Sequence, residues 1–283
     1  MSKIRHLYII GNGFDLHHGI PSSYNNYKNW LSLRWLPLYD EIARSFIGAD
    51  KVAWWSDFEN SLAKLDIQYD LSIIQFQDYE VDGIVIEGCN RPTRLDAMFS
   101  AIKHTFTVWA KGLNDLFSSV QPDMNLNIDS SALYLTFNYT NTLQDIYQIP
   151  DNQIYHIHGN AKTGEELVLG HGETGDFYPK EQFEIVDFKN DPYKIAEQIT
   201  ALKKPTSEII AKNRNLFNSL SDVENITIYG FSFSSIDMPY IKEIIKHIKP
   251  NVKWYIYVRS DGEIERIEKM EELMPFAVKY IYW

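Results

Sequence analysis

Four short stretches rich in apolar residues each stop at a glycine or an asparagine and lead into a segment with helical character. These stretches and the residues that end them are 7–10 with Gly11, 131–137 with Asn138, 153–158 with Gly159, and 225–229 with Gly230. Apolar runs of this length are typical of buried strands, and Gly and Asn tolerate the backbone of tight turns. Strands that alternate with helices build a mostly parallel sheet with helices on both faces. The pattern therefore predicts an α/β fold with a Rossmann-like sheet. A further run at 167–169, before Gly170, has the same shape and predicts another strand.

A long internal block departs from this pattern. Residues 24–128 lack the strand–glycine–helix signals, and apolar residues recur at spacings of three and four along 95–117. Such spacing gives a helix one apolar face. We therefore predict a single α/β nucleotide-binding domain over residues 1–283, with residues 24–128 as a helical insertion or cap within it.

The first turn has the composition of a phosphate cradle. Gly11-Asn12-Gly13 directly follows the first predicted strand. Glycines let backbone N–H groups approach a ligand with no Cβ in the way. Asp15 suits hydrogen bonds from ribose hydroxyls, because acidic residues play that part in dinucleotide sites. The alternative is an ordinary strand-to-helix turn with Asp15 as the helix cap.

Charge and cysteine content argue against several classes of protein. The 283 residues include 27 basic and 38 acidic side chains, a net charge of −11. That balance argues against a protein that coats nucleic acid or an anionic membrane. Cys89 is the only cysteine, so no disulfide forms within the chain and a cytoplasmic location is expected. No apolar run approaches the ~20 residues of a membrane span.

Short motifs at the predicted strand ends carry a resemblance to known families. GNGFD at 11–15, TFNYT at 136–140, HIHG at 156–159 and GFSFSSID at 230–237 resemble, in order and character, the loops of sirtuin-like NAD-binding domains. The lines LYIIGNGFDLHHGIPSSY, LTFNYTNTL, YHIHGN, LVLGHG and ITIYGFSFSSID, with W-x-DFE-x-x-L at 55–62, are similar to the bacteriophage abortive infection AbiH family. The AbiH resemblance implies a role in defence against phage. The sirtuin-like resemblance implies a core that binds NAD.

The sirtuin-like resemblance also assigns roles to individual residues. Asn138 matches the asparagine near the nicotinamide ribose, and His158 matches the histidine that acts as a base near the ribose hydroxyls. The predicted ligand-binding residues are Gly11, Asn12, Gly13, Phe14, Asp15, Thr136, Gly230, Ser232 and Asp237. Two positions depart from the pattern, since Thr140 replaces the usual aspartate and Asp15 replaces the serine of the first turn. The absence of zinc-binding cysteine pairs argues against protein deacylation.

These residue types suit hydrolysis of the bond between nicotinamide and ribose. Breaking that bond develops positive charge on the ribose and requires a base for the attacking water. Histidine titrates near neutrality and contributes about 10²–10⁴-fold as a general base. An asparagine amide both donates and accepts, so it can orient a hydroxyl or a water without adding charge.

Plainer roles stay open for the same residues. Asn138 suits a strand-to-helix turn, and Asp237 suits the cap of the helix that follows it. His156 and His171 are alternatives to His158 as the base. The three histidines could together hold a metal ion, but no H-E-x-x-H or cysteine spacing supports this, and we expect no metal.

Two kinds of function follow from these observations. An enzyme would hydrolyse NAD, and the helical insertion, a homo-oligomer or a phage-derived trigger would gate it because uncontrolled hydrolysis would be toxic. A binding module would use the same residues to sense a nucleotide and act through a partner. An enzyme that acts on nucleic acid is a third class, which the acidic balance disfavours.

Overall fold

The computed structural model describes residues 4–67, 69, 79–81, 84–86, 91–119, 126–172, 192–268 and 278–283. Cys89 lies outside these residues. The chain divides into two compact units, the first within 1–22, 110–168 and 205–283, and the second within 23–109 and 169–204. Among the described helices, none has the length and apolar character needed to cross a membrane.

The strands form one parallel sheet and one hairpin. Their bounds are β1 (His6–Ile10), β2 (Tyr79–Val81), β3 (Ile84–Ile86), β4 (Leu133–Thr136), β5 (Ile154–His156), β6 (Asn225–Tyr229), β7 (Lys253–Val258) and β8 (Val278–Tyr282). Strands β2 and β3 pair with each other in antiparallel orientation. The other six form a sheet in the order β5-β4-β1-β6-β7-β8, and each neighbouring pair is parallel.

Helices occupy the connections between the strands. Their bounds are α1 (Asn12–His17), α2 (Tyr24–Arg34), α3 (Leu36–Ser45), α4 (Val52–Ser56), α5 (Phe58–Ser61), α6 (Arg91–Leu113), α7 (Thr142–Tyr147), α8 (Pro192–Ala201), α9 (Thr206–Lys212), α10 (Arg214–Asn218), α11 (Met238–His247) and α12 (Asp261–Glu268). Short 3₁₀ helices cover Asn114–Ser119, Asp151–Gln153 and Ser219–Asp222.

The predicted α/β fold with a parallel, Rossmann-like sheet flanked by helices is confirmed. All four stretches predicted as strands before Gly11, Asn138, Gly159 and Gly230 contain a strand of this sheet. The chain adds β4 and β5 on one side of β1 and then β6, β7 and β8 on the other. This is the strand order of doubly wound dinucleotide-binding folds, in which ligands bind beyond the carboxyl ends of the strands where the order reverses. That point lies between β1 and β6.

The sheet is apolar on both faces, which explains why its central strand is an unbroken apolar run. Leu7 and Ile9 of β1 belong to a core that includes Ile241 and Ile244 of α11. Tyr8 and Ile10, which alternate with Leu7 and Ile9 along β1, belong to a second core that includes residues of α1 and α7. A strand buried on both faces loses the usual alternation of apolar and polar residues.

The predicted strand at 167–169 is wrong. Leu167 to Leu169 has no strand structure, and Gly170 is held by close packing, because a Cβ there would lie 2.2 Å from the carbonyl oxygen of Leu202. The neighbouring His171 makes only an isolated bridge to Lys203. The backbone N–H of Val168 instead donates to the carbonyl of His158 at 2.9 Å, and this bond lies outside the ladders of the sheet.

The second unit contains the helices α2 to α5, most of α6, and α8. The Tyr27 hydroxyl lies 2.8 Å from Thr105 Oγ1, and Lys204 Nζ lies 3.0 Å from Glu59 Oε1 in a buried ion pair. The β2–β3 hairpin lies within the same range, so the block predicted as helical also contains strands. That residues 24–128 form an insertion or cap within the α/β domain stays a prediction.

Candidate functional site

The turns after β1 and β6 pack against each other through glycines. The N–H groups of Gly11 and Gly13 donate to the carbonyls of Tyr229 and Gly230, each at 2.9 Å. A Cβ on Gly13 would lie 2.6 Å from the Cα of Gly230, and Gly230 has a φ of +60°. Glycine is required here because two backbones touch. The two N–H groups are therefore engaged inside the protein.

Asp15 lies in α1 and links that helix to the turn after β4. It is 1% exposed, and its carboxylate accepts from Thr140 Oγ1 at 2.6 Å and from Thr142 Oγ1 at 2.7 Å. Burial raises the pKa of Asp15 to about 6, although both threonine hydroxyls and the nearby Asn138 amide favour the ionised form. The alternative role as helix cap is wrong, because Gly11 holds that position. The contact with a ribose stays a prediction.

This buried carboxylate predicts a specific pH dependence of stability. Because the native pKa of about 6 lies above the ordinary 3.8, Asp15 stabilises the fold below pH 3.8, and this contribution is lost as the pH rises through about 6. Between pH 4 and pH 7 the free energy of unfolding of the wild type should fall by about 2 kcal/mol relative to Asp15→Asn, which cannot ionise. Urea unfolding of both proteins at the two pH values measures this difference. Parallel pH dependence of the two proteins would contradict the assignment.

Asn138 occupies the turn after β4 and has a fixed backbone. Its N–H donates to Thr136 Oγ1 and its carbonyl accepts from His156 Nδ1, both at 3.1 Å. Asn138 is 6% exposed, and its side-chain amide is near enough to Asp15 to favour the ionised carboxylate, but neither amide atom makes a hydrogen bond of standard length to a described residue. A buried amide in this state is costly unless a water or a ligand satisfies it. The arrangement suits an asparagine that contacts a ligand.

His156 ties two turns together. Its Nδ1 donates to the Asn138 carbonyl, so its Nε2 is left to accept from the side-chain amides of Gln144 at 3.0 Å and Asn160 at 3.2 Å. Burial lowers the pKa of His156, which keeps the ring neutral as the accepted bonds require. Both ring nitrogens serve the packing of the turns. We therefore assign His156 a structural role.

His158 follows β5 and faces a carboxylate from the loop after β6. Its Nε2 lies 3.5 Å from Asp237 Oδ1, and the side chains are 3% and 11% exposed. The ring packs against Phe137 and Tyr240 with centroid distances of 5.2 Å and 5.6 Å. Asp237 holds the predicted N-cap position of α11, but its side chain makes no capping bond there. The carboxylate faces the imidazole instead.

The remaining predicted ligand residues differ in exposure. Phe14 and Thr136 are buried, whereas Asn12 and Ser232 are exposed. Ser232 precedes the buried Phe233, which has a φ of +54°. A left-handed backbone is costly for a residue with a side chain and is found disproportionately at functional sites. The loop after β6 therefore buries its aromatic side chains and presents Ser232 to solvent.

His171 belongs to the second unit. It is buried, and its Nε2 donates to the carbonyl of Ile199 at 2.8 Å. In the part of the chain that the structure describes, no group of three or more His, Cys, Asp or Glu residues is placed to hold a metal ion.

Arg259 is a residue of this region that the sequence analysis missed. It follows β7 directly, and its Nη2 donates to the carbonyl of Gly13 at 2.6 Å. Its guanidinium carbon lies 5.3 Å from the ring centroid of Trp283. The available signal was its position after a buried strand, because ligands in this fold bind beyond the carboxyl ends of the strands.

The four predicted strand-end segments contact one another. Asp15 bonds to the turn after β4, His156 ties that turn to the end of β5, and His158 reaches Asp237 after β6. An imidazole beside a carboxylate can take a proton from a water, since the carboxylate stabilises the imidazolium that forms. The cluster thus places an imidazole, a carboxylate and an amide at one edge of the sheet.

Comparison with known proteins identifies one family. The model of the family described as bacteriophage abortive infection AbiH matches residues 7–258. This range includes each of the four strand-end segments. No curated protein matches the chain.

Proposed function

The chain belongs to the bacteriophage abortive infection AbiH family, and we propose that within this phage-defence role it binds NAD in the cytoplasm and hydrolyses the nicotinamide glycosidic bond. The observation that carries the proposal is the pairing of His158 with Asp237 at 3.5 Å, on strand ends that flank the turn of Asn138. The strand order of the sheet supports a dinucleotide as the ligand.

The proposed reaction assigns one task to each side chain. The bond from ribose C1′ to the nicotinamide nitrogen breaks, and nicotinamide leaves as a neutral molecule. A water attacks C1′, and His158 takes the proton that this water loses. Asp237 stabilises the resulting imidazolium, as the carboxylate of a catalytic triad does. The Asn138 amide orients a ribose hydroxyl or the water. The products are nicotinamide and ADP-ribose.

The two departures from the sirtuin-like pattern involve a contacting pair. Asp15 stands where that pattern has a serine, Thr140 stands where it has an aspartate, and the Thr140 hydroxyl donates to the Asp15 carboxylate at 2.6 Å. A carboxylate and a hydroxyl thus occur at these two positions with their places exchanged. This exchange supports a sirtuin-like arrangement around Asn138, because the chemical groups of the pair are retained.

The burial of the base supports gated activity. The His158 side chain is only 3% exposed and its Nε2 faces Asp237, so the reacting water must displace neighbouring groups to reach Nδ1, the nitrogen that takes its proton. An enzyme that destroys NAD has to be silent until infection. We propose that a homo-oligomer or a phage-derived trigger opens the loops, which would keep the enzyme inactive until then.

Chromatography of NAD incubated with the purified protein tests this function. We expect nicotinamide and ADP-ribose to accumulate in equal amounts, with a rate that rises when extract from phage-infected cells is added. The control is the same extract without the protein. Absence of nicotinamide release under both conditions would remove the proposal.

A second function, nucleotide sensing without hydrolysis, is favoured by the same burial of His158. A sensor needs to hold its ligand and has no need to expose a base. Calorimetry with NAD, followed by chromatography of the recovered ligand, separates the two functions. Tight binding with intact NAD recovered after activation supports the sensor and contradicts the hydrolase.

A further inference from the structure

The glycine turn after β1 cannot supply its usual share of donors to a phosphate. Turns of this kind bind phosphate through backbone N–H groups. Here the N–H of Gly11 donates to the carbonyl of Tyr229, the last residue of β6, and the N–H of Gly13 donates to the carbonyl of Gly230 in the turn that follows. A diphosphate carries negative charge that must be met by donors or cations. Those donors have to come from another part of the chain.

A guanidinium rests on this same turn. Arg259 is exposed, and its Nη2 donates to the carbonyl of Gly13 at 2.6 Å. The ring of Trp283 lies 5.3 Å away and stacks against His17 with a centroid distance of 4.7 Å. These contacts fix the guanidinium beside the turn. A guanidinium has five N–H donors, so others besides the one bonded to Gly13 can serve a ligand.

Two acidic residues close to Arg259 in the sequence bond to groups other than its guanidinium. Glu263 Oε2 accepts from the backbone N–H of Arg259 at 2.9 Å, and Asp261 accepts from the hydroxyl of Tyr282. Within the described ranges Arg259 makes no ion pair with a carboxylate. An exposed cation that touches the first turn is therefore left in a chain of net charge −11.

We propose that Arg259 is the diphosphate-binding residue of the nucleotide site. This inference rests on the proposed function, which makes a dinucleotide the ligand. Arginine matches the geometry of phosphate oxygens with two parallel N–H groups, and its contact with Trp283 reduces the freedom that binding would otherwise cost. The glycine turn then serves as a support for the guanidinium, and the phosphate charge is recognised by the side chain.

Calorimetry with ADP and adenosine tests this inference, because the two ligands differ only in the diphosphate. Arg259→Met keeps a stem against Trp283 and removes the charge, so ADP affinity should fall about 10- to 100-fold while adenosine affinity stays within about twofold. Arg259→Lys keeps the charge without the fork and should lose less. Lys253→Met removes an exposed charge at the amino end of the same strand and should leave both affinities unchanged.

The alternative is that Arg259 only holds the turn and Trp283 in place. In that case Arg259→Met would weaken ADP and adenosine equally, and the inference would be overturned. It would also be overturned if wild-type protein bound ADP no more tightly than adenosine, or if ADP affinity were unchanged in both Arg259 variants. Should Arg259→Met fail to fold, the ratio of ADP affinity to adenosine affinity in Arg259→Lys tests the inference in its place.

The inference and the proposed hydrolysis fail separately. Absence of nicotinamide release with an intact difference between ADP and adenosine would leave Arg259 as the phosphate residue of a sensor. Nicotinamide release with a wild-type ADP affinity in Arg259→Met would leave the hydrolase and remove the role of Arg259.

Discussion

Replacing His158 with glutamine is expected to slow nicotinamide release by about 10²–10⁴-fold while NAD binding changes by no more than a few-fold. The imidazole is the base that takes the proton of the attacking water, and glutamine cannot take that proton near neutral pH. Glutamine has a similar length and keeps a polar group facing Asp237, so the packing against Phe137 and Tyr240 is disturbed little. Single-turnover release of nicotinamide and calorimetric binding of NAD measure the two effects separately.

Two further variants sharpen the interpretation of His158→Gln. Asp237→Asn should give a smaller loss of about 10- to 100-fold, because the imidazole stays and only its carboxylate is neutralised. His247→Gln removes a histidine of α11 whose Nδ1 donates to the carbonyl of Glu243, so it should leave turnover unchanged. Equal turnover in wild type and His158→Gln would show that His158 is not the base. A loss of NAD binding as large as the loss of turnover would assign His158 to binding.

The local sequence pattern was sufficient to predict the strands and turns, but it could not predict which residues their side chains contact. The apolar runs that stop at Gly11, Asn138 and Gly230 predicted strands and turns, since turn chemistry depends on neighbouring residues. The order of the strands could not be predicted, because it depends on which parallel edges pair after long connections. The contact of Gly230 with Gly13 depends on that order, so it could not be predicted from the sequence either.

The two histidines of the HIHG motif show the same limit within one strand. His156 and His158 lie on the same side of the chain by their spacing, and the sequence left both open as the base. Their roles are decided by Gln144 and Asn160 around one ring and Asp237 beside the other. Asp237 was expected to cap α11, and only the fold shows that its carboxylate faces His158.

Replacing Gly230 with alanine is expected to lower the free energy of unfolding by about 4 kcal/mol. A Cβ at this position would lie 2.3 Å from the nitrogen of Phe14 and 2.4 Å from the carbonyl carbon of Gly13. Neither backbone can yield without breaking the bond from Gly13 to Gly230. The φ of +60° adds about 1–2 kcal/mol for an L-residue, and the overlap adds about 1–3 kcal/mol. Urea unfolding measures the loss, and the melting temperature should fall by roughly 10 °C.

Gly19→Ala is the matched control for Gly230→Ala. Gly19 has a φ of +73°, and no described atom lies within 4 Å of the Cβ that alanine would add, so only the backbone cost of about 1 kcal/mol remains. The difference between the two variants isolates the contact of the turns after β1 and β6. Equal destabilisation would show that the turns separate easily, which would leave the N–H groups of Gly11 and Gly13 accessible to a phosphate. A much larger loss at Gly230 means that the two turns form one rigid support, and phosphate recognition then falls to side chains such as that of Arg259.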